Sequence, residues 1–144
     1  MKHPTTLVSR WVEFDAGHRV LSHGGACRRP HGHRYRVTIT CEGPVPDSGM
    51  IVDFGVLAEA LDVVHDRYDH RFLVAVGDEA LADALHAVDP TCVVEVPEHP
   101  TAENIAAWVA EDIALILDAL EPTINLVEVA VRETPKSVAT WRAP

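Results

Sequence analysis

Thr6 to His18 predicts a first strand, and its end, Phe14-Asp15-Ala16-Gly17-His18, alternates so that Phe14, Ala16 and His18 share one side. Residues 19 to 30 are rich in Gly, Arg and His and read as a functional loop. From His31 to Cys41 the apolar Tyr35, Val37, Ile39 and Cys41 alternate with Arg34, Arg36, Thr38 and Thr40, the pattern of an antiparallel sheet with one wet face. His31 and His33 share the parity of the apolar set. After a turn over 42–49, Asp53 is placed to cap a helix whose apolar face is Phe54, Leu57, Leu61, Val64 and Tyr68.

Residues 77 to 97 predict a short helix around Leu81 to Val88 and an apolar strand, Cys92 to Val96, stopped by the Pro97 to Pro100 segment. Thr101 caps a second long helix with a stripe of Ile105, Trp108, Val109, Ile113, Ile116, Leu117 and Leu120. Val127, Val129, Val131 and Glu133 then alternate, a turn falls at Pro135-Lys136, and a last strand runs from Ser137 to Arg142. The order is ββ, α, a small αβ insert, α, ββ. It predicts an α+β fold with two long helices on one face of an antiparallel sheet. No repeat or linker interrupts it, so residues 1–144 read as a single domain.

A length of 144 residues can bury a core without disulfides, and 47% hydrophobic with 24% charged residues describes a globular chain. No apolar run approaches the roughly 20 residues of a membrane span, and the start of the chain carries no targeting stretch, so a cytoplasmic location and no membrane partner are expected. Cys27, Cys41 and Cys92 are an odd count without paired spacing, which favours reduced thiols, with Cys41 in the core. A net charge of −10 disfavours nucleic acid. Against that charge, Arg19, His23, Arg28, Arg29, Arg34 and Arg36 crowd around the histidines, which suggests a small anionic substrate such as a phosphate ester.

The candidate chemistry centres on His31-Gly32-His33. In a strand, side chains at i and i+2 lie on one face roughly 6–7 Å apart, so both rings can grip one ion. A neighbouring strand would add His18. Three imidazoles suit zinc, with the fourth position open for water or substrate. The alternatives are a closed site in which Cys27 is the fourth ligand, and a chance run in a chain with nine histidines.

Cys27, among histidines and arginines, sits in a setting that favours a thiolate general base, or else a small buried side chain. Asp69-His70 reads as a catalytic pair or as an exposed acid and imidazole at a helix end. Glu133 continues the inward parity of its strand, where a ligand's amidine edge could pair with it; a strand ending one residue earlier would expose it. Glu103 in a first helical turn favours the dipole. His3, His65, His86 and His99 have no constellation and read as surface.

Together the motifs resemble the family of 6-pyruvoyl-tetrahydropterin synthase and 6-carboxytetrahydropterin synthase. The landmarks are Phe14-x-Ala16-x-His18, Cys27-x-x-x-His31-Gly32-His33-x-Tyr35, Gly49-Met50-Ile51-Val52-Asp53-Phe54, Asp69-His70, Pro100-Thr101-Ala102-Glu103-Asn104 and Glu133-Thr134, spread over nearly the whole chain. The resemblance implies a tunnelling fold, a ββααββ subunit that assembles into rings, usually a hexamer of two trimers, with active sites at subunit interfaces. It implies zinc on His18, His31 and His33, Cys27 as proton acceptor, Asp69 and His70 as a proton relay, and Glu133 as anchor of the pterin. Thr101 and Glu103 fall near the pterin pocket of relatives.

The implied substrate is 7,8-dihydroneopterin triphosphate, its triphosphate held by the basic loop, with His23, Arg28 and Arg29 as its contacts. In the carboxy branch, acetaldehyde and triphosphate are released and 6-carboxy-5,6,7,8-tetrahydropterin remains, on the way to queuosine. In the pyruvoyl branch triphosphate is eliminated and the carbon chain kept. Three residues separate Cys27 from His31, as in the carboxy enzymes. The chain departs from the pattern at Val74, commonly asparagine, and in a longer segment at 75–96 that is expected near a subunit contact or pocket rim. A non-catalytic zinc or pterin-binding module is the remaining alternative.

Overall fold

The computed structural model describes residues 5–144, so His3 lies outside the described residues. Strands β1 (Leu7–His18) and β2 (His31–Glu42) form a long antiparallel pair, in register from Leu7 opposite Glu42 to His18 opposite His31. Helix α1 (Phe54–Tyr68) follows, then β3 (Arg71–Ala75), α2 (Glu79–Val88), β4 (Val93–Val96), α3 (Ala102–Leu120), β5 (Asn125–Thr134) and β6 (Ser137–Arg142). The sheet order is β4-β3-β1-β2-β5-β6.

Both long helices start where their caps predict. The Asp53 carboxylate accepts from the Gly55 N–H at 2.7 Å, and the Thr101 hydroxyl accepts from the Asn104 N–H at 3.3 Å. The inward side chains of the strands, among them Phe14, Tyr35, Val37, Ile39, Val129 and Val131, form one core with the helices' buried faces. Leu57, Leu61 and Val64 come from α1, and Ile105, Val109, Ile113 and Leu117 from α3. Each such side chain, fully buried, contributes about 1.5–3 kcal/mol. Cys41 is buried there, and burial pushes its thiol up to about 11.

Three expectations change. The sheet is mixed rather than antiparallel, because Arg71–Ala75 is a strand parallel to both β1 and β4. Its sequence is short and unalternating, and both Leu73 and Val74 are buried, the signature of a strand covered on two sides. The segment 75–96 is therefore part of the sheet architecture, since it carries β4 and the crossover helix α2 between two parallel strands. Phe54 and Leu120, expected in the apolar stripes, are exposed at the helix ends, where the covered stripe runs out. Trp108 and Ile116 pack only partly against the core.

The β2–β5 ladder also slips between Thr40 and Cys41, skipping Val127, so Leu126 takes an inward place beside Val129 and Val131. A second irregularity between Arg132 and Thr134 frees Glu133 from the β5–β6 ladder. Among the described residues no helix is long and apolar enough to cross a membrane.

Candidate metal centre and adjoining cavity

The long β1–β2 pair ends in the register Ala16 opposite His33, Gly17 opposite Gly32 and His18 opposite His31. Parity points all three histidines to the helix side, and their ligand atoms lie within 4.8 Å of one another. Gly17 makes room here: a Cβ at this position would run into the Phe72 ring of β3, so a larger residue would force that ring to move.

Two main-chain carbonyls orient the rings. Pro100, just before α3, accepts from His18 Nδ1 at 2.6 Å, and Arg29 accepts from His31 Nδ1 at 2.6 Å. With the proton on Nδ1, both Nε2 lone pairs face inward, and they stand 3.1 Å apart. Two lone pairs at that distance repel unless a cation or proton lies between them. His33 Nε2 is buried without a hydrogen-bond partner, with Glu133 Oε1 3.3 Å away. Burial is the main cause holding the His18 and His33 imidazoles below the usual histidine range, which favours the neutral form that binds metals. The donor set, its orphaned nitrogen and its fixed tautomers fit a divalent cation bound by three histidines.

Cys27 stands in a single 3-10 turn, Ala26–Arg28, and its sulfur does not join the ligand cluster. The turn is pinned by the Val20 N–H, which donates to the Cys27 carbonyl at 2.8 Å. Beside the cluster opens a cavity of about 240 Å³, lined by His18, His23, Cys27, Thr101, Glu103 and Glu133 among others. One cavity thus joins a histidine of the metal-ligand cluster, a free thiol and two carboxylates.

Asp69 and His70 pair with each other but do not line this cavity. His70 Nδ1 meets Asp69 Oδ2 at 2.6 Å, and Asp69 Oδ1 accepts from the Asp15 N–H at 2.9 Å. That main-chain donor first, and the His70 contact after it, hold the Asp69 carboxyl below its ordinary range. His70 itself has a φ of 55°, uncommon outside glycine, and its N–H donates to the Asp15 carbonyl at 2.7 Å. Its ring is 81% exposed, turned to the outside of the chain.

The expected basic patch is dismantled in part, because three of its arginines already have acidic partners. Arg19 grips the buried Asp78 with two N–H groups, Arg34 grips Asp15, and Arg36 pairs with Glu13 while stacking on Trp11. Arg28 and Arg29 are exposed and do not line the cavity, whereas His23 does. Of the histidines read as surface, His65 is exposed but lies 3.4 Å from Asp69 Oδ2 through its Nε2, and His99 is half-buried with its Nδ1 covered and without a hydrogen-bond partner. The carbonyls of Arg29 and Pro100 left no trace in side-chain pattern, since any residue supplies a carbonyl. Asp78 had none either, because its partner is 59 residues away.

The fold and site define an α+β protein with a three-histidine metal centre next to a thiol-lined cavity. The sequence model of 6-pyruvoyl tetrahydropterin synthase matches residues 7–144, and the chain belongs to that family. It is 38% identical over 130 residues to a probable 6-carboxy-5,6,7,8-tetrahydropterin synthase of Halobacterium salinarum, covering 90% of this chain and 82% of the relative. It is 33% identical over 144 residues to the 6-carboxy-5,6,7,8-tetrahydropterin synthase of Bacillus subtilis, covering 98% and 88%. Among solved structures, the 6-pyruvoyl tetrahydropterin synthase of Plasmodium falciparum shares the fold with a TM-score of 0.77 at 20% identity, covering 98% of this chain and 99% of that one.

Proposed function

We propose that the chain is a 6-carboxy-5,6,7,8-tetrahydropterin synthase, a lyase that converts 7,8-dihydroneopterin triphosphate to 6-carboxytetrahydropterin, acetaldehyde and triphosphate. The observation that carries this reading is the inward-facing cluster of ring nitrogens from His18, His31 and His33 at a cavity that also holds an unligated Cys27 and Glu133. The relatives of 33–38% identity that bear this activity's name support the carboxy branch.

Three histidine donors with room for a further ligand suit zinc, which supplies Lewis acidity to the substrate's side-chain hydroxyls. Glu133, free of the β5–β6 ladder, accepts two parallel N–H bonds from the pterin's amidine edge. Cys27, on the cavity wall, takes a proton from the substrate side chain as general base. Thr101 and Glu103 border the pterin, and His23, Arg28 and Arg29 contact the triphosphate. Asp69 and His70, which face away from their own chain's cavity, complete the cavity of a second copy as the proton relay. This reading goes with the ring assembly that the family resemblance implies, a hexamer of two trimers.

Incubation of zinc-loaded protein with 7,8-dihydroneopterin triphosphate tests the reading. Acetaldehyde and triphosphate in equal amounts are expected. Triphosphate without acetaldehyde would move the chain to the pyruvoyl branch, and neither product would overturn the assignment.

A further inference from the structure

The Asp69 carboxylate has two imidazole neighbours rather than one. Its Oδ1 is occupied by the Asp15 N–H, and its Oδ2 meets His70 Nδ1 at 2.6 Å and His65 Nε2 at 3.4 Å. His65 reaches it because positions 65 and 69 are one turn apart at the end of α1, where the chain leaves the helix. We propose that His65 is a positioning residue that shares Asp69 with His70 and thereby controls how tightly His70 holds its proton. This rests on the reading of Asp69 and His70 as a proton relay, which gives the coupling its use.

The argument is electrostatic. The carboxylate carries one negative charge spread over its two oxygens, so a proton on His65 neutralises part of what His70 would use, and two imidazolium rings at Oδ2 repel. The other charges nearby are accounted for. Asp66 Oδ1 lies 3.8 Å from His65 Nδ1, so it steadies the His65 ring from the side away from Asp69. Arg67 is turned to Asp112 at 2.7 Å. From the sheet, Asp15 is paired with Arg34 at 2.9 Å, and both stay close enough to act on the site: Asp15 adds a negative charge felt by Asp69 and His70, and Arg34 a positive one felt by Asp69, a background common to parent and variant.

The coupling is measured on the intact zinc-loaded protein, by following exchange of the C2 hydrogen of each histidine against pH with mass spectrometry. In His65→Gln, His70 should bind its proton roughly threefold more tightly, about half a pH unit, the size expected for charges a few ångströms apart and half in water. The coupling is mutual, so His70→Gln should also tighten the hold of His65 on its proton. His86→Gln, on the exposed side of α2, should leave both unchanged. The limb of the kcat/KM profile that depends on His70 should move by the same amount in His65→Gln. An unmoved His70 in His65→Gln, or an equal shift in His86→Gln, overturns the proposal. Full turnover by His70→Gln would instead remove the relay reading, and the exchange data would still decide the coupling.

Discussion

His18 and His31 face each other Nε2 to Nε2 at 3.1 Å, while each Nδ1 is tied at 2.6 Å to a main-chain carbonyl. Both rings are thereby committed to presenting lone pairs, an arrangement that only a shared cation or an intervening proton relieves. The strain is relieved by loading, so bound zinc should raise the melting temperature, and a chelator should lower it. Replacing His31 with Ala should weaken zinc by more than about 100-fold in a competition titration, since even outer-shell changes cost 10–100-fold.

Metal-free protein should lose stability in mild acid. Burial lowers the His18 and His33 values in the folded state, so the unfolded chain takes up these protons first. Their contribution is complete above about pH 6.5, the unfolded histidine value, and is lost as pH falls through it towards the lowered native values. Melting curves of the chelated protein between pH 7.5 and 5 should fall, and His33→Gln should flatten that fall.

Cys27→Ala separates an open centre from a closed one. The sulfur stands outside the ligand cluster, so the variant should keep one zinc per chain and its melting temperature. Turnover should drop by about 10²–10⁴-fold, the range of a lost acid–base group. Loss of zinc by this variant, read by metal analysis, would mean that sulfur is a ligand.

Glu133→Gln keeps the shape of the side chain and removes its charge. Because Glu133 is 24% exposed and outside the β5–β6 ladder, stability should change little. A charge-assisted pair to the substrate is worth about 1.5–3 kcal/mol, so kcat/KM should fall roughly 10–100-fold. An unchanged kcat/KM would remove Glu133 from the pterin contact.

Asp78→Asn tests the pair that ties the end of β1 to α2. Arg19 binds the buried carboxylate through two N–H groups, and this contact is the largest cause lowering the Asp78 value. The variant should cost about 2 kcal/mol, less than the 3–5 kcal/mol of a fully buried broken pair because Arg19 keeps some contact with water. The folded value is depressed, so this contribution is present above the ordinary aspartate value and is lost as pH falls below about 4. Denaturant melts at pH 7 and pH 3 should differ less in the variant than in the parent.

Much of the site was legible because strand parity carries chemical information. His31 and His33 share the phase of Tyr35 and Val37, and Glu133 shares that of Val129 and Val131, so their common side followed from alternation alone. The caps Asp53 and Thr101 were readable for a similar reason, since a cap bonds within its own turn. β3 escaped because a five-residue strand whose neighbours Leu73 and Val74 are both buried shows no alternation. The exposed arginines could not be separated from the paired ones, because Arg19, Arg34 and Arg36 look like Arg28 and Arg29 until their acids arrive through space.

Residue identity and local periodicity determined the long strands, the helices and the ligand types, because those signals act over a few residues, and the motifs in their order along the chain carried the family resemblance. Tertiary structure alone decided which nitrogens face the cation, which arginines are spent on acids, and that Asp69 and His70 turn away from the cavity of their own chain. Those outcomes rest on contacts between distant segments, such as His18 with Pro100 across 82 residues. Such contacts form only when the packed core fixes where each segment's ends lie.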